Sequence, residues 1–280
     1  MLHSMLRLGI STRSYRELPM AEAARLIRDA GFEDVQVSLE FADARLDPAA
    51  PDWSYARRAR DVFGGAGLRI LAVDGYTNLC HPDAAVRERN VRGLAAVLEH
   101  AREFGTNIVV TEAGTFNPTA RRRPQPADPV AGWKQFIGTV RDLAKTAESS
   151  GSILAMEPSV ATFVGSVEAV GRMLDEVASP HLKILWDAAN FFDETLIHRM
   201  QELLMRMYAT FGAHVVGAHA KDVRLNAEGS VEWVAAGKGR LDYATFVGLL
   251  EATHRDIFLC LEYARVAEVP QVKSYVGRYL

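Results

Sequence analysis

The sequence predicts an α/β protein built as a single (β/α)8 TIM barrel. Three observations carry that expectation. Eight short runs rich in β-branched and aliphatic residues alternate with longer amphipathic or Ala-rich segments. Strands that alternate with helices pair in parallel through right-handed crossovers. Eight such units in 280 residues give about 35 residues per unit, the density of a closed barrel. A doubly wound open sheet is the competing topology, but no GxGxxG follows the first run.

In chain order the expected strands are LRLGIST (6–12), DVQVSL (34–39), RILAVDGY (69–76), NIVVTEAG (107–114), SILAMEP (152–158), LKILWDAAN (182–190), VVGAHAKD (215–222) and IFLCLEY (257–263). Helical spacing is clearest over 20–32, 84–105, 132–151 and 243–254, where apolar residues recur every three or four positions and Gly often closes the segment. FNPTARRRPQPADP (116–129) reads as a long polar loop over the barrel mouth, because strand and helix alternation resumes directly after it. Its Arg121, Arg122 and Arg123 read as a solvated run, with a substrate or phosphate contact as the alternative. Residues 1–280 are expected to form one domain.

Composition narrows the function. Lys plus Arg (32) nearly balance Asp plus Glu (35), so bulk charge gives no reason to expect a nucleic-acid partner. No apolar run approaches the length that spans a bilayer, and MLHSMLRLGIST lacks the apolar core of a signal peptide. The expected setting is therefore the cytoplasm, with no membrane partner. Cys80 and Cys260, without CxxC spacing, read as small buried hydrophobes.

The last four strands share a feature. Each carries a polar residue late in its run: Glu157, Asp187, His219 and Glu262, separated by 30, 32 and 43 residues. Those intervals approximate one βα unit each, which puts the four side chains at similar heights near the C-terminal rim, where barrel enzymes hold their chemistry. A closed barrel converges them. Taken singly, a strand-end carboxylate is commonly a helix cap or surface ion pair, and a strand histidine is commonly a satisfied core residue. Together, three carboxylates and an imidazole repel and desolvate one another unless a cation neutralises them. The oxygen-rich set with one nitrogen predicts one divalent ion, Mn²⁺ first, with Mg²⁺, Co²⁺, Zn²⁺ and Fe²⁺ as alternatives.

LAMEPS, ILWDAAN, AHAKD and LCLEY, with GKGRLDYATFVGLL (237–250) and NLCHPD (78–83), resemble the motifs of the xylose-isomerase-like TIM-barrel superfamily, which holds sugar isomerases, epimerases, inosose dehydratases and the endonuclease IV branch. The resemblance spans most of the chain. It implies that Glu157, Asp187, His219 and Glu262 are the metal ligands, with Glu157 and Glu262 as the acid/base pair acting on a metal-stabilised enediolate. The implied function is isomerisation or epimerisation of a sugar or sugar-like polyol. An inosose-type dehydratase and a non-catalytic sugar-binding barrel are the alternatives. Many relatives place a histidine three residues after the strand-six Asp, whereas this chain has Asn190, which is expected either to bind a substrate hydroxyl or to cap the next helix. A trinuclear endonuclease site needs further late histidines, and only His254 follows His219.

The remaining expectations concern the mouth. Lys221 shares the in-out phase of His219 and is expected to contact substrate, against a salt bridge to Asp222. Arg224 and His81 are further substrate candidates, and Gln36, Asp74 and Glu112 are plausible mouth residues. Arg240 beside the Gly237/Gly239 turn is a candidate anion contact, while Trp186 and Tyr263 are expected to pack the barrel top. The substrate partner is a small carbohydrate or polyol, and a homo-oligomer is left open.

Overall fold

The computed structural model describes residues 6–117 and 129–280. Arg121, Arg122 and Arg123, and most of the loop that holds them, lie outside the described residues. The eight expected strands are present: β1 (Leu6–Ser11), β2 (Asp34–Val37), β3 (Arg69–Asp74), β4 (Ile108–Glu112), β5 (Ile153–Glu157), β6 (Leu182–Asp187), β7 (Val215–Leu225) and β8 (Ile257–Leu261). They pair in parallel in sequence order, and β8 returns to β1 through Ile10↔Leu261, so the sheet closes into a (β/α)8 barrel. Closure removes the exposed edges that an open sheet would have to protect.

Among the described residues, eight helices clothe the barrel: α1 (Met20–Asp29), α2 (Ser54–Gly65), α3 (Ala84–His100), α4 (Pro129–Ser150), α5 (Val167–Val177), α6 (Met200–Phe211), α7 (Tyr243–Glu251) and α8 (Val269–Val276). Their starts are chemical as well as periodic. Asp83, Ser166 and Asp242 each accept a backbone N–H three residues on, satisfying donors that the first turn leaves unpaired. In α4 the buried stripe Trp133, Phe136, Ile137, Val140, Leu143, Ala144 and Ala147 follows the helical period and packs inward. None of these helices is long and apolar enough to cross a membrane.

Strand residues buried on both faces divide the core in two. The larger part lies between barrel and helices; a smaller cluster of Leu71, Ala72, Val110, Ala155, Leu185, Phe258 and Cys260 includes residues two positions before Glu112, Glu157, Asp187 and Glu262, and therefore fills the lumen beneath them. Phe258 crosses that lumen over Gly217, where an added Cβ would stand 2.2 Å from the ring. Trp186 is fully buried against Phe211 and Phe246, outside the barrel rather than at its mouth.

Two strand ends differ most from the sequence expectation, by three residues each. β6 stops at Asp187, and a 3-10 turn over Ala188–Phe191 follows. β7 continues three residues past Asp222 and turns back into an antiparallel strand, Val231–Ala235, pairing Lys221 with Ala235 and Leu225 with Val231. The polar NAEGS turn and the modest apolarity of VEWVA hide this ribbon among the loops.

Candidate metal and active site

The ends of β5, β6, β7 and β8 bring the predicted ligands to the barrel rim. Glu112 pairs with Glu157 across β4 and β5, Asp187 pairs with His219 across β6 and β7, and Glu262 follows directly on β8. Glu157, Asp187, His219 and Glu262 are all buried, and one ligand atom from each lies within 4.8 Å of the other three. His219 Nδ1 stands 3.5 Å from Glu157 Oε1, 3.6 Å from Glu262 Oε2 and 3.9 Å from Asp187 Oδ2.

The chemistry of that gap fits a divalent ion. His219 Nδ1, Asp187 Oδ2 and Glu262 Oε2 are buried with no aligned hydrogen bond, although Asp187 Oδ2 forms an ion pair with Lys221 Nζ at 2.6 Å. Buried polar atoms normally find partners, so three orphans facing one point mark a place for a shared ligand. Electrostatics agree. Burial alone would lower the His219 pKa, but the charges of Glu262, Glu157 and Asp187 outweigh it and raise it to about 9. Burial, with the charges of Glu157 and Glu262, lifts Asp187 above the usual carboxylate range despite Lys221. Glu157 is buried too, yet His219, Lys221 and the Tyr76 hydroxyl hold it well below that range. A cation at the orphaned atoms relieves the repulsion and takes the place of a proton.

Around the ligands the side chains interlock. Asn190, in the turn after β6, donates from Nδ2 to Glu157 Oε1 (2.7 Å) and accepts from Lys221 Nζ at Oδ1 (2.8 Å). It does not cap α6, whose N-cap position is Arg199. The Tyr76 hydroxyl donates to Glu157 Oε2. Lys221 points inward with His219, as their shared phase predicts, between the rings of Trp233 (5.1 Å) and Tyr263 (4.8 Å) and 3.5 Å from Glu262 Oε2. Its carboxylate partners are Asp187 and Glu262, not Asp222. The charges of those partners outweigh burial and hold the Lys221 ammonium ionised.

Asp222 faces the other way. Its Oδ1 accepts the N–H groups of Val223 (2.8 Å) and Leu241 (2.8 Å), and its Oδ2 accepts that of Gly237 (3.0 Å). The anion held by the GKG turn is therefore the protein's own carboxylate. A Cβ at Gly239 would stand 2.3 Å from Asp222 Oδ1, so the turn needs glycine there, and Arg240 is exposed.

A cavity of about 500 Å³ opens above the ligands. Glu157, Glu262, Glu112, Asn190 and Lys221 line it, joined by residues the sequence did not single out: Arg13, Tyr76 and Trp233. The Arg13 guanidinium lies over the Tyr76 ring at 4.8 Å and 3.9 Å from both Asp74 Oδ2 and Glu262 Oε1. Tyr263 is half-exposed on the cavity wall instead of packing the barrel top, and its φ of 62° is a left-handed conformation that costs a tyrosine about 1 kcal/mol or more. Substrate contacts expected at Arg224 and His81 have no counterpart in this wall. Arg224 has the opposite strand phase to His219 and pairs with Glu232 across the ribbon (3.1 Å), and His81 accepts the Asp83 N–H (3.1 Å) ahead of α3.

The profile of the xylose isomerase-like TIM barrel family matches residues 24–275. The chain belongs to that family. No curated protein matches this sequence. Among solved structures, this family member resembles an L-ribulose 3-epimerase with a TM-score of 0.73 and 16% identity, over 98% of this chain and 94% of that one. A 3-keto-D-glucoside 4-epimerase from E. coli aligns with a TM-score of 0.70 and 15% identity, over 98% and 99% of the two chains. A xylose isomerase-like TIM barrel protein from Mycobacterium smegmatis in complex with magnesium aligns with a TM-score of 0.68 and 18% identity, over the full length of both. Identities this low establish the shared fold.

Proposed function

We propose that this family member is a divalent-metal-dependent isomerase or epimerase of a sugar or sugar-like polyol. The observation that carries the reading is the convergence of His219 Nδ1, Asp187 Oδ2 and Glu262 Oε2, buried and without an aligned hydrogen bond, beneath a polar cavity lined by Glu157 and Glu262. Structural likeness to sugar epimerases supports it. Glu157, Asp187, His219 and Glu262 would hold a divalent ion, Mn²⁺ by the donor set, which would supply Lewis-acid stabilisation of the negative charge that develops when a C–H beside a carbonyl is deprotonated.

The chain's own groups supply the rest. The rings of Tyr76, Trp233 and Tyr263 offer apolar faces to the C–H faces of a sugar, while Asn190, Lys221 and Arg13 present hydrogen-bond donors to its oxygens. Glu262 Oε1 has only the distant Arg13 guanidinium beside it, leaving a lone pair to take a proton. Glu157, across the ligand cluster, has its oxygens tied to Asn190 and Tyr76, and the Tyr76 hydroxyl is the donor nearest to that second carboxylate. Lys221 Nζ, 3.5 Å from Glu262 Oε2, is also placed to protonate a leaving hydroxyl, and this favours inosose dehydration as the second reading.

A panel of ketoses, inososes and hydroxypyruvate incubated with Mn²⁺ in D2O tests the proposal. Deuterium incorporation that disappears on metal removal and in Glu262→Gln supports it. Full activity in a metal-stripped preparation overturns it, and a product lighter by one water selects the dehydratase.

A further inference from the structure

Gln36, next to last in β2, is fully buried behind His219, away from the cavity. Its Oε1 stands 3.0 Å from His219 Nε2, and its Nε2 donates to Asp74 Oδ1 at 2.8 Å. Asp74 is itself buried, and its Oδ2 faces Arg13 at 3.9 Å. The chain of contacts therefore runs from the imidazole through an amide to a carboxylate and a guanidinium.

Each link fixes the next. An ionised carboxylate only accepts, so the Gln36 amide must turn its NH₂ toward Asp74. That leaves the Gln36 carbonyl toward His219, and a carbonyl also only accepts. The neutral imidazole of His219 must therefore carry its proton on Nε2, and once Nδ1 gives up its own proton the lone pair there faces Glu157, Asp187 and Glu262. Burial lifts Asp74 to about 6 against the pull of Arg13 and the Gln36 hydrogen bond, which still leaves a carboxylate at neutral pH.

We infer that Gln36, oriented by Asp74, is a positioning residue that selects the Nδ1-donor form of His219 and so completes the divalent-ion site. A histidine ligand takes its orientation and basicity from the partner of its other nitrogen, and losing such a partner typically weakens metal binding about 10- to 100-fold. The inference rests on the metal-dependent reading proposed above and adds to it a residue from the N-terminal half of the barrel, where no ligand lies.

The test is Mn²⁺ titration calorimetry on the whole protein, with ¹⁵N-histidine NMR of the Mg²⁺-loaded protein as a second readout. Gln36→Leu is expected to bind Mn²⁺ about 10- to 100-fold more weakly. The double variant Gln36→Glu/Asp74→Asn keeps an acceptor opposite Nε2–H and a donor opposite the new carboxylate and should stay close to the unmodified protein, while Asp74→Leu frees the amide to turn and should weaken binding. NMR should show His219 protonated on Nε2. Gln36→Leu binding Mn²⁺ as tightly as the unmodified protein, or His219 protonated on Nδ1, overturns the inference. If Gln36→Leu does not fold, the NMR signature of the unmodified protein decides alone. Failure of the unmodified protein to bind any divalent ion would instead sink the metal-dependent reading itself.

Discussion

Metal uptake should release a proton from His219, and the size of the effect follows from the site. Surrounded by Glu262, Glu157 and Asp187, the imidazole has its pKa raised to about 9, so at pH 7 the metal-free protein holds it protonated. A divalent ion needs the Nδ1 lone pair and must displace that proton. Two pH units separate pH 7 from that pKa, so affinity at pH 7 is expected about 100-fold below its alkaline limit, or about 3 kcal/mol. Binding should tighten about tenfold per pH unit and level off near pH 9. Calorimetry in buffers of different ionisation enthalpy counts the protons, and about one per Mn²⁺ is expected at pH 7. The sign for stability is the reverse. The raised pKa stabilises the metal-free fold fully below about 6.5, and that contribution, about 3 kcal/mol at most, is lost as pH rises through about 9. Mn²⁺-saturated protein should lack this loss. Proton release of zero at pH 7, or a pH slope unchanged in His219→Gln, would refute the reasoning.

Four further outcomes are expected. Asp222→Ala strands the N–H groups of Val223, Gly237 and Leu241 and should cost about 3 kcal/mol or more in thermal or urea denaturation; a loss under about 1 kcal/mol would mean that these bonds do not hold the turn. Gly217→Ala forces a methyl against the Phe258 ring and should lower stability by about 1–3 kcal/mol, whereas an unchanged melting temperature would show that the lumen has room. Lys221→Met should lose turnover while keeping Mn²⁺ binding, because the ammonium is a neighbour of the ligands and not one of them; loss of Mn²⁺ binding contradicts that placement. Free Mn²⁺ at about 100 times its dissociation constant should stabilise the fold by about 2.7 kcal/mol, read as a higher melting temperature that a chelator reverses.

The barrel was legible because strand runs such as IFLCL and helical stripes such as that of α4 each bury continuous apolar surface at their own period. The four-residue cluster was legible for the converse reason. Four polar side chains that end consecutive apolar strands converge when the barrel closes, and buried charges so close together call for a neutralising partner. Residues that owe their place to loop geometry were not legible. Arg13 sits in a 3-10 turn after β1 that reads as ordinary polar surface, and Tyr76 looks like the tail of an apolar run. Trp233 reaches the cavity only because β7 overshoots the barrel, although period-two VEWV after a polar NAEGS turn was the available signal. Arg224 was misplaced by proximity in sequence: five residues from His219 is an odd spacing, which turns it outward. Asp222 could not be assigned from pattern, because its partners are backbone amides up to nineteen residues away.

The ribbon that extends β7 separates two jobs within one strand. Its inner part carries His219, while the outer part and its return strand contribute Trp233 to the cavity wall, docked by Trp233 Nε1 on Ala189 O at 3.1 Å. Asp222 clamps the boundary between them. Residues 226–230 form a turn closed by Asn226 and Ser230, and a hairpin keeps its strand pairing when its turn is recut. Insertions there can lengthen the wall and leave the registers at the ligands untouched. The protein thus offers a modular edge, on which the shape of the cavity wall can change without rebuilding the buried cluster beneath it.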